Sequence, residues 1–319
     1  MRSMGGLMKH KTSILGLALA LTLSSISAQA QLSHTYVSSK GDDASNCSLT
    51  TPCRYLQAAL AATGAGGEIT ILDTADFNNG TTLTINKAIS IANAGSADAQ
   101  ITFPPGYGVA ILIDAGMADD ITLRGLSVDG GGIQFRGGRS LTVGNCVLRH
   151  GYGENILFWP RNGPATLTVS NTVVAESGNG INVFPEGGGT VTALFNRVEA
   201  VNNTNYGILV DGEAFGGRIA ATVSDSSAVG NGGAGLAVST LKDHAPTTLM
   251  VTRSVAANNN IGLFSWGDGA ILRFGNSTVS GNLNGWSGFR NGLILTYGDN
   301  YIDGNFGPNV GTWAVVPKQ

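Results

Sequence analysis

The chain has 319 residues with 18 Lys+Arg, 21 Asp+Glu and a net charge of −3, and only 12% of it is charged. That is about half the usual charged share of a soluble domain, while Gly is roughly twice its average usage without collagen's strict period. Such a chain can bury a large core and fits one extended domain in length. It offers no basic patch, so no nucleic-acid partner is expected.

Residues 1–30 read as an export signal. Lys9, His10 and Lys11 precede the apolar run ILGLALALTL, and Ala28-Gln29-Ala30 forms a small-residue cleavage site before Gln31. The run is shorter than the ~20 residues a membrane span needs. The expectation is a secreted or periplasmic protein with no membrane span after signal cleavage.

Residues 31–66 follow as an entry strand and a cap. Cys47 and Cys53 enclose SLTTP, and an oxidising compartment lets them pair as a disulfide. A loop that short removes less chain entropy than the ~3 kcal/mol of a 15-residue loop. No second Cys or His pair lies near them, so no metal site is expected. Cys146, in LTVGNCVLR, reads as a small buried hydrophobe. In PCRYLQAALAATGAG, Leu56, Ala59, Leu60 and Thr63 share one helical face, with Gly64 as a stop.

Residues 67–319 carry a repeat. ITIL, LTINKAISI and ITLRGLSVDG read as early, irregular units. Further on, a polar residue closes one short strand and a turn residue stands six positions later. Asn145, Asn171, Asn196, Asp225, Arg253, Asn276 and Asp299 are the starts, at spacings of 26, 25, 29, 28, 23 and 23 residues. Asn202, Asn231, Asn259, Asn282 and Asn305 are the corresponding turn asparagines. Second strands follow in the first five units, as in GINV, GILV, GLAV and GLFS. A period near 25 with short strands and tight turns predicts a solenoid. Leucine-rich spacing is missing, and Gly and Asn are too frequent for a helical repeat. A right-handed parallel β-helix of three sheets fits, with coils ~4.8 Å apart and like residues stacked. Stacked asparagines can then bond to one another along the axis. The helix over 56–63 caps one end, and Trp313 and Val315 are expected to cover the other.

At this point the chain resembles a known family. TYVSSKGDDASNCSLTTPCRYLQAAL with GGEITIL and LTINKAISI looks like the N-terminal cap of secreted β-helix proteins, and the N-x-V and G-I-x-V coils resemble those of the pectin-lyase-like superfamily. The resemblance implies a substrate groove along the G-I-x-V sheet, bordered by loops. It implies no single activity, because the superfamily spans pectate and pectin lyases, polygalacturonases, alginate epimerases, tailspikes and proteins without a demonstrated reaction.

Alternation along the strands aims Leu157, Asn182, Leu209, Ala237 and Phe264 into that groove, an almost uncharged floor. A lyase base with its cations, or the paired carboxyl groups of a glycosidase, are missing from it. The loops beyond the floor carry Trp159, Arg161, Glu186, Asp211, Glu213, Lys242, Asp243, His244, Trp266 and Asp268, which stacking would place on one side as a ligand-binding row. Asp211, Asp243 and His244 are the acid/base candidates; His150 and Glu154, in RHGYGEN, read first as turn residues, with a second acid/base pair as the alternative. The favoured reading is an exported, non-catalytic β-helix that binds a polysaccharide, a cell-surface glycan or another surface. The alternatives are a lyase or hydrolase acting on acidic glycans such as pectate or alginate, and a structural or adhesive surface protein. No cofactor is called for; calcium enters only with a lyase.

Overall fold

The computed structural model describes residue 1 and residues 31–319, except 96, 97, 105, 107, 214–216, 312 and 319. The predicted export signal lies outside the described residues. Residues 31–319 form one compact unit, and the described residues are 53% strand and 2% helix.

Every strand pairing is parallel, and each coil pairs with the coil before and after it. Among the described residues one sheet has nine strands, from Leu83–Ile85 through Ile133–Gly137, Asn179–Val183 and Ile208–Asp211 to Asn284–Phe289. We call it the floor sheet. The other two ladders are joined into one sheet of 20 described strands. They meet at a sharp corner, and Ala165–Ala175 and Thr190–Val201 run through it as single strands. This is the parallel β-helix predicted from the repeat.

The corners explain the polar periodicity. Gly125, Asn145, Asn171, Arg197, Asp225, Arg253 and Asn276 form one stacked column with φ between 46° and 68°. A second column, Gly130, His150, Glu176, Asn202, Gly230, Asn258, Gly281 and Gly304, has φ between 53° and 82°. Left-handed backbone at every turn selects Gly and Asn and admits other polar side chains at a cost. The expected start at Asn196 is corrected here. Asn196 pairs with Ser170 and Ser224 inside the strand, and Arg197 holds the corner. Corner side chains bond along the axis: Arg197 to Asn171 at 2.5 Å, and Arg253 to Asp225 at 2.7 and 2.8 Å.

The same shift moves the first turn asparagine from Asn202 to Asn203. Ser177, Asn203, Asn231, Asn259, Asn282 and Asn305 stack just inside the second corner. Each Asn of this row accepts at Oδ1 from the backbone N–H of the previous coil. From Asn203 on, each side-chain Nδ2 also donates to the next Oδ1, at 2.9–3.0 Å. Asn203, Asn231, Asn259 and Asn282 are 0–4% exposed. Their amides thus satisfy corner backbone that would otherwise be buried without partners.

Between the sheets lies a continuous apolar core that includes Ile133, Phe135, Ile156, Phe158, Ile181 and Val183. The helix Leu56–Ala62 buries Leu56, Ala59 and Leu60 at one end. It stops at Thr63, whose backbone is extended, so Gly64 already lies in the next strand. Cys47 and Cys53 are disulfide-bonded beside this cap. Cys146 is a buried thiol, and burial pushes its pKa up to about 11. At the far end Trp313 stacks on Trp286 with ring centroids 4.2 Å apart. Val315, expected to cover that end, is 67% exposed, because Trp313–Val315 adds a strand alongside Leu293–Thr296.

Candidate functional site

Register along the floor sheet sets which side chains form its outer surface. Thr84, Leu112, Gln134, Leu157, Asn182, Leu209, Ala237, Phe264 and Ser287 form the central outward column. From Thr84 to Ala237, core residues flank each of them in the chain, as the alternation predicted. At the ends of the strands runs a second column of Trp159, Phe184, Asp211, Ser239, Trp266 and Phe289.

Two polar clusters form where these columns meet the loops. In the first, Arg161 lies over the Trp159 ring at 4.4 Å and Arg136 approaches the same ring at 5.7 Å. Arg161 also faces Glu186 at 3.6 Å. Towards the start of the same strands, Glu154 accepts from Asn179 at 3.2 Å and from Asn182 at 3.5 Å. The second cluster lines a recess of about 430 Å³ with Lys242, His244, Trp266, Asp268 and Arg290. There Arg290 lies over Trp266 at 5.2 Å. Trp159 and Trp266 are four coils apart, roughly 19 Å at the usual strand spacing. Of the ten loop residues, Trp159, Arg161 and Glu186 fall in the first cluster and Lys242, His244, Trp266 and Asp268 in the second.

Asp211 and Glu213 lie between them. The Asp211 carboxyl is pushed up to about 6, chiefly by desolvation, against hydrogen bonds from Ser239 and the Glu213 N–H. It in turn raises the pKa of Tyr206, which burial raises more. Tyr206 belongs to an outer apolar patch with Leu209, Ala234, Ala237, Ile261 and Phe264. His244 donates from Nδ1 to the Glu213 carbonyl oxygen at 2.5 Å. Asp243 is exposed and sits in the left-handed region with φ 65°. His150 is a corner residue with φ 53°, in line with its reading as a turn residue, and it meets carboxylates other than Glu154. Its ring nitrogens face Asp129 at 2.7 Å and Glu176 at 3.0 Å, in the neighbouring coils.

Five side-chain polar atoms among the described residues are buried without a hydrogen-bond or ion-pair partner. Four of them, Gln134 Oε1, Arg136 Nε, Trp159 Nε1 and Asn182 Oδ1, fall within three consecutive coils of the floor sheet. Each such group costs ~1–3 kcal/mol while unpaired. Concentrating two acceptors and two donors in one place marks the first cluster.

Comparison by sequence finds no matching family model and no matching curated protein. Solved structures do match. The pectate lyase Pel9A aligns with TM-score 0.57 and 17% identity, over 88% of this chain and 78% of that one. An alginate lyase from Paenibacillus sp. str. FPU-7 aligns with TM-score 0.60 and 13% identity, over 82% of this chain and 96% of that one. The fold is the pectin-lyase-like parallel β-helix.

Identities this low establish the shared β-helix architecture and leave its chemistry to the residues. Among the described residues no three His, Cys, Asp or Glu side chains gather as a calcium site would require. No step through calcium is therefore derived for this β-helix. Sequence reasoning missed Gln134, Arg136, Asn179 and Arg290. The first two belong to a coil whose irregular turns hid its register. Arg290 follows the last floor strand, where the G-I-x-V pattern has given way to GWSGF.

Proposed function

We propose that this protein is an exported β-helix that binds a polysaccharide along the outer surface of its floor sheet, centred on Trp159. The unpaired donors and acceptors at Gln134, Arg136, Trp159 and Asn182 carry this reading. A hydroxylated ligand offers both hydrogen-bond roles at close spacing, and Trp159 offers a ring face beside them. The Trp266 recess gives a long chain a second contact four coils away. Affinity electrophoresis and calorimetry with pectate, alginate and a neutral glucan test the proposal. Binding to at least one polymer is expected, weakened about tenfold or more by Trp159→Ala and by the pair Gln134→Ala with Asn182→Ala. Unchanged affinity in both variants refutes the site.

One observation favours a second reading, a polysaccharide lyase or hydrolase. Asp211, held up to about 6, is near the range suited to general acid–base work. New chain ends released by the wild type and not by Asp211→Asn would establish it. No release from any of the polymers, with or without added calcium, removes it.

A further inference from the structure

A second recess lies away from the floor sheet, on the outer surface of the ladder that contains Ala270–Gly275 and Leu293–Thr296. It encloses about 610 Å³, within the ~300–1,000 Å³ typical of small-molecule sites. Met250, Arg273 and Leu295 stack in consecutive coils as one wall. Val316 and Pro317 of the C-terminal segment form the opposite wall. That segment is held by the Val316 N–H on the Thr296 carbonyl oxygen at 2.8 Å and by Lys318 on Asp299 at 2.6 Å.

Two departures from the repeat create the space. The position occupied by Gly144, Ser170, Asn196, Ser224, Thr252 and Gly275 in successive coils becomes Tyr297 in the next. A Cβ at Gly275 would meet Tyr297 Cδ2 at 2.9 Å and Asp299 Oδ1 at 3.1 Å, so the ring packs against bare backbone. In the neighbouring column, Thr168, Leu194, Thr222 and Met250 are followed by Arg273. Arg273 is half-buried and has no hydrogen bond or ion pair among the described residues.

We propose that this recess binds a small monoanion bearing a carboxylate on an apolar, preferably aromatic, body. Arg273 supplies the planar fork that takes a carboxylate through two parallel hydrogen bonds. Tyr297, Met250 and Leu295 supply the apolar contact. Arg273 and Lys318 against Asp299 leave one net positive charge among the described lining residues, which suits a monoanion. Asp299, already bonded to Lys318 and to the Asn276 N–H, repels a second negative charge.

The test is calorimetric titration of the mature chain with 4-coumarate, beside 4-coumaryl alcohol and galacturonate. Saturable one-to-one binding of 4-coumarate is expected, at least tenfold tighter than either control. Arg273→Gln should weaken it at least tenfold with an unchanged circular dichroism spectrum. Met250→Trp, which fills the wall without touching the charge, should weaken it comparably. No saturable binding, equal binding of the neutral alcohol or of galacturonate, or unchanged affinity in Arg273→Gln would each overturn the proposal. The polysaccharide surface on the floor sheet stands or falls separately, because neither variant lies on it.

Discussion

Truncating Asn259 tests the stacked-coil argument most directly. Its Oδ1 accepts from the backbone N–H and from Nδ2 of Asn231, both at 2.9 Å. Its own Nδ2 donates to the Ala228 carbonyl oxygen and to Asn282 Oδ1, both at 3.0 Å. In Asn259→Ala, Asn282 Oδ1 keeps the backbone N–H of residue 259. The Asn231 N–H and the Ala228 carbonyl oxygen then lose this partner, while Asn231 Nδ2 keeps the Ala200 carbonyl oxygen at 3.1 Å. At ~1–3 kcal/mol for each of the two groups, with one water entering the vacated space to recover part, the loss should be about 2–4 kcal/mol. The neighbouring Asn258 is exposed and left-handed (φ 57°), so Asn258→Gly should change stability by less than ~1 kcal/mol. Urea unfolding followed by circular dichroism measures both. Hydrogen exchange at the Asn231 amide reports the local effect, which matters because stacked coils can open independently. A loss below ~1 kcal/mol for Asn259→Ala, with the Asn231 amide still protected, would show that the row is ornamental to stability.

Other predictions follow from single sites. Asp211 has a raised pKa in the fold, so the native state holds a proton that the unfolded chain has already released. Its contribution therefore falls as pH rises from about 4 through about 6, and Asp211→Asn should flatten that slope and stabilise the protein at pH 7 by ~1–2 kcal/mol, allowing for partial exposure. Denaturant midpoints from pH 4 to 8 measure this, and an unchanged slope contradicts the desolvated placement. Replacing both Cys47 and Cys53 by Ser should cost about 2 kcal/mol, because the bridged residues are only 6 apart. Unfolding with and without reductant checks it; a loss above ~4 kcal/mol would mean the bridge holds the whole cap in place.

The fold was legible because a β-helix writes its corners into the sequence once per coil. Left-handed backbone narrows the residue choice, and seven polar starts exposed that choice. The one slip came where Asn196-Arg197 and Asn202-Asn203 offered two adjacent polar residues each. An Asn is the better left-handed residue, so local preference selected Asn196, but pairing with Ser170 and Ser224 keeps it in the strand. Tertiary register overrode propensity by one position. The candidate site was only half legible. Trp159, Arg161 and Glu186 follow regular floor strands and could be placed by counting. Gln134 and Arg136 could not, since Gly130-Gly131-Gly132 turns that coil through three consecutive left-handed residues and hides the phase of the strand after them.

Columns, rather than sequence neighbours, are the units of chemistry in this fold. His244 meets Glu213, a residue 31 positions earlier, while its chain neighbour Asp243 points into solvent from a left-handed turn. His150 likewise finds Asp129 and Glu176 in adjoining coils and misses Glu154 four residues on. Each coil contributes one side chain per column, so a site is assembled by changing the same position in consecutive coils. The inward asparagine row and the apolar core hold the coils in register without using the outward positions. Outward columns can then diverge independently. The floor column passes from Gln134 through Leu157 to Asn182, and the ladder behind it passes from Thr222 through Met250 to Arg273. Neither change disturbs the other because no outward side chain is shared between the two sheets. A separate ligand on each surface is what that independence allows.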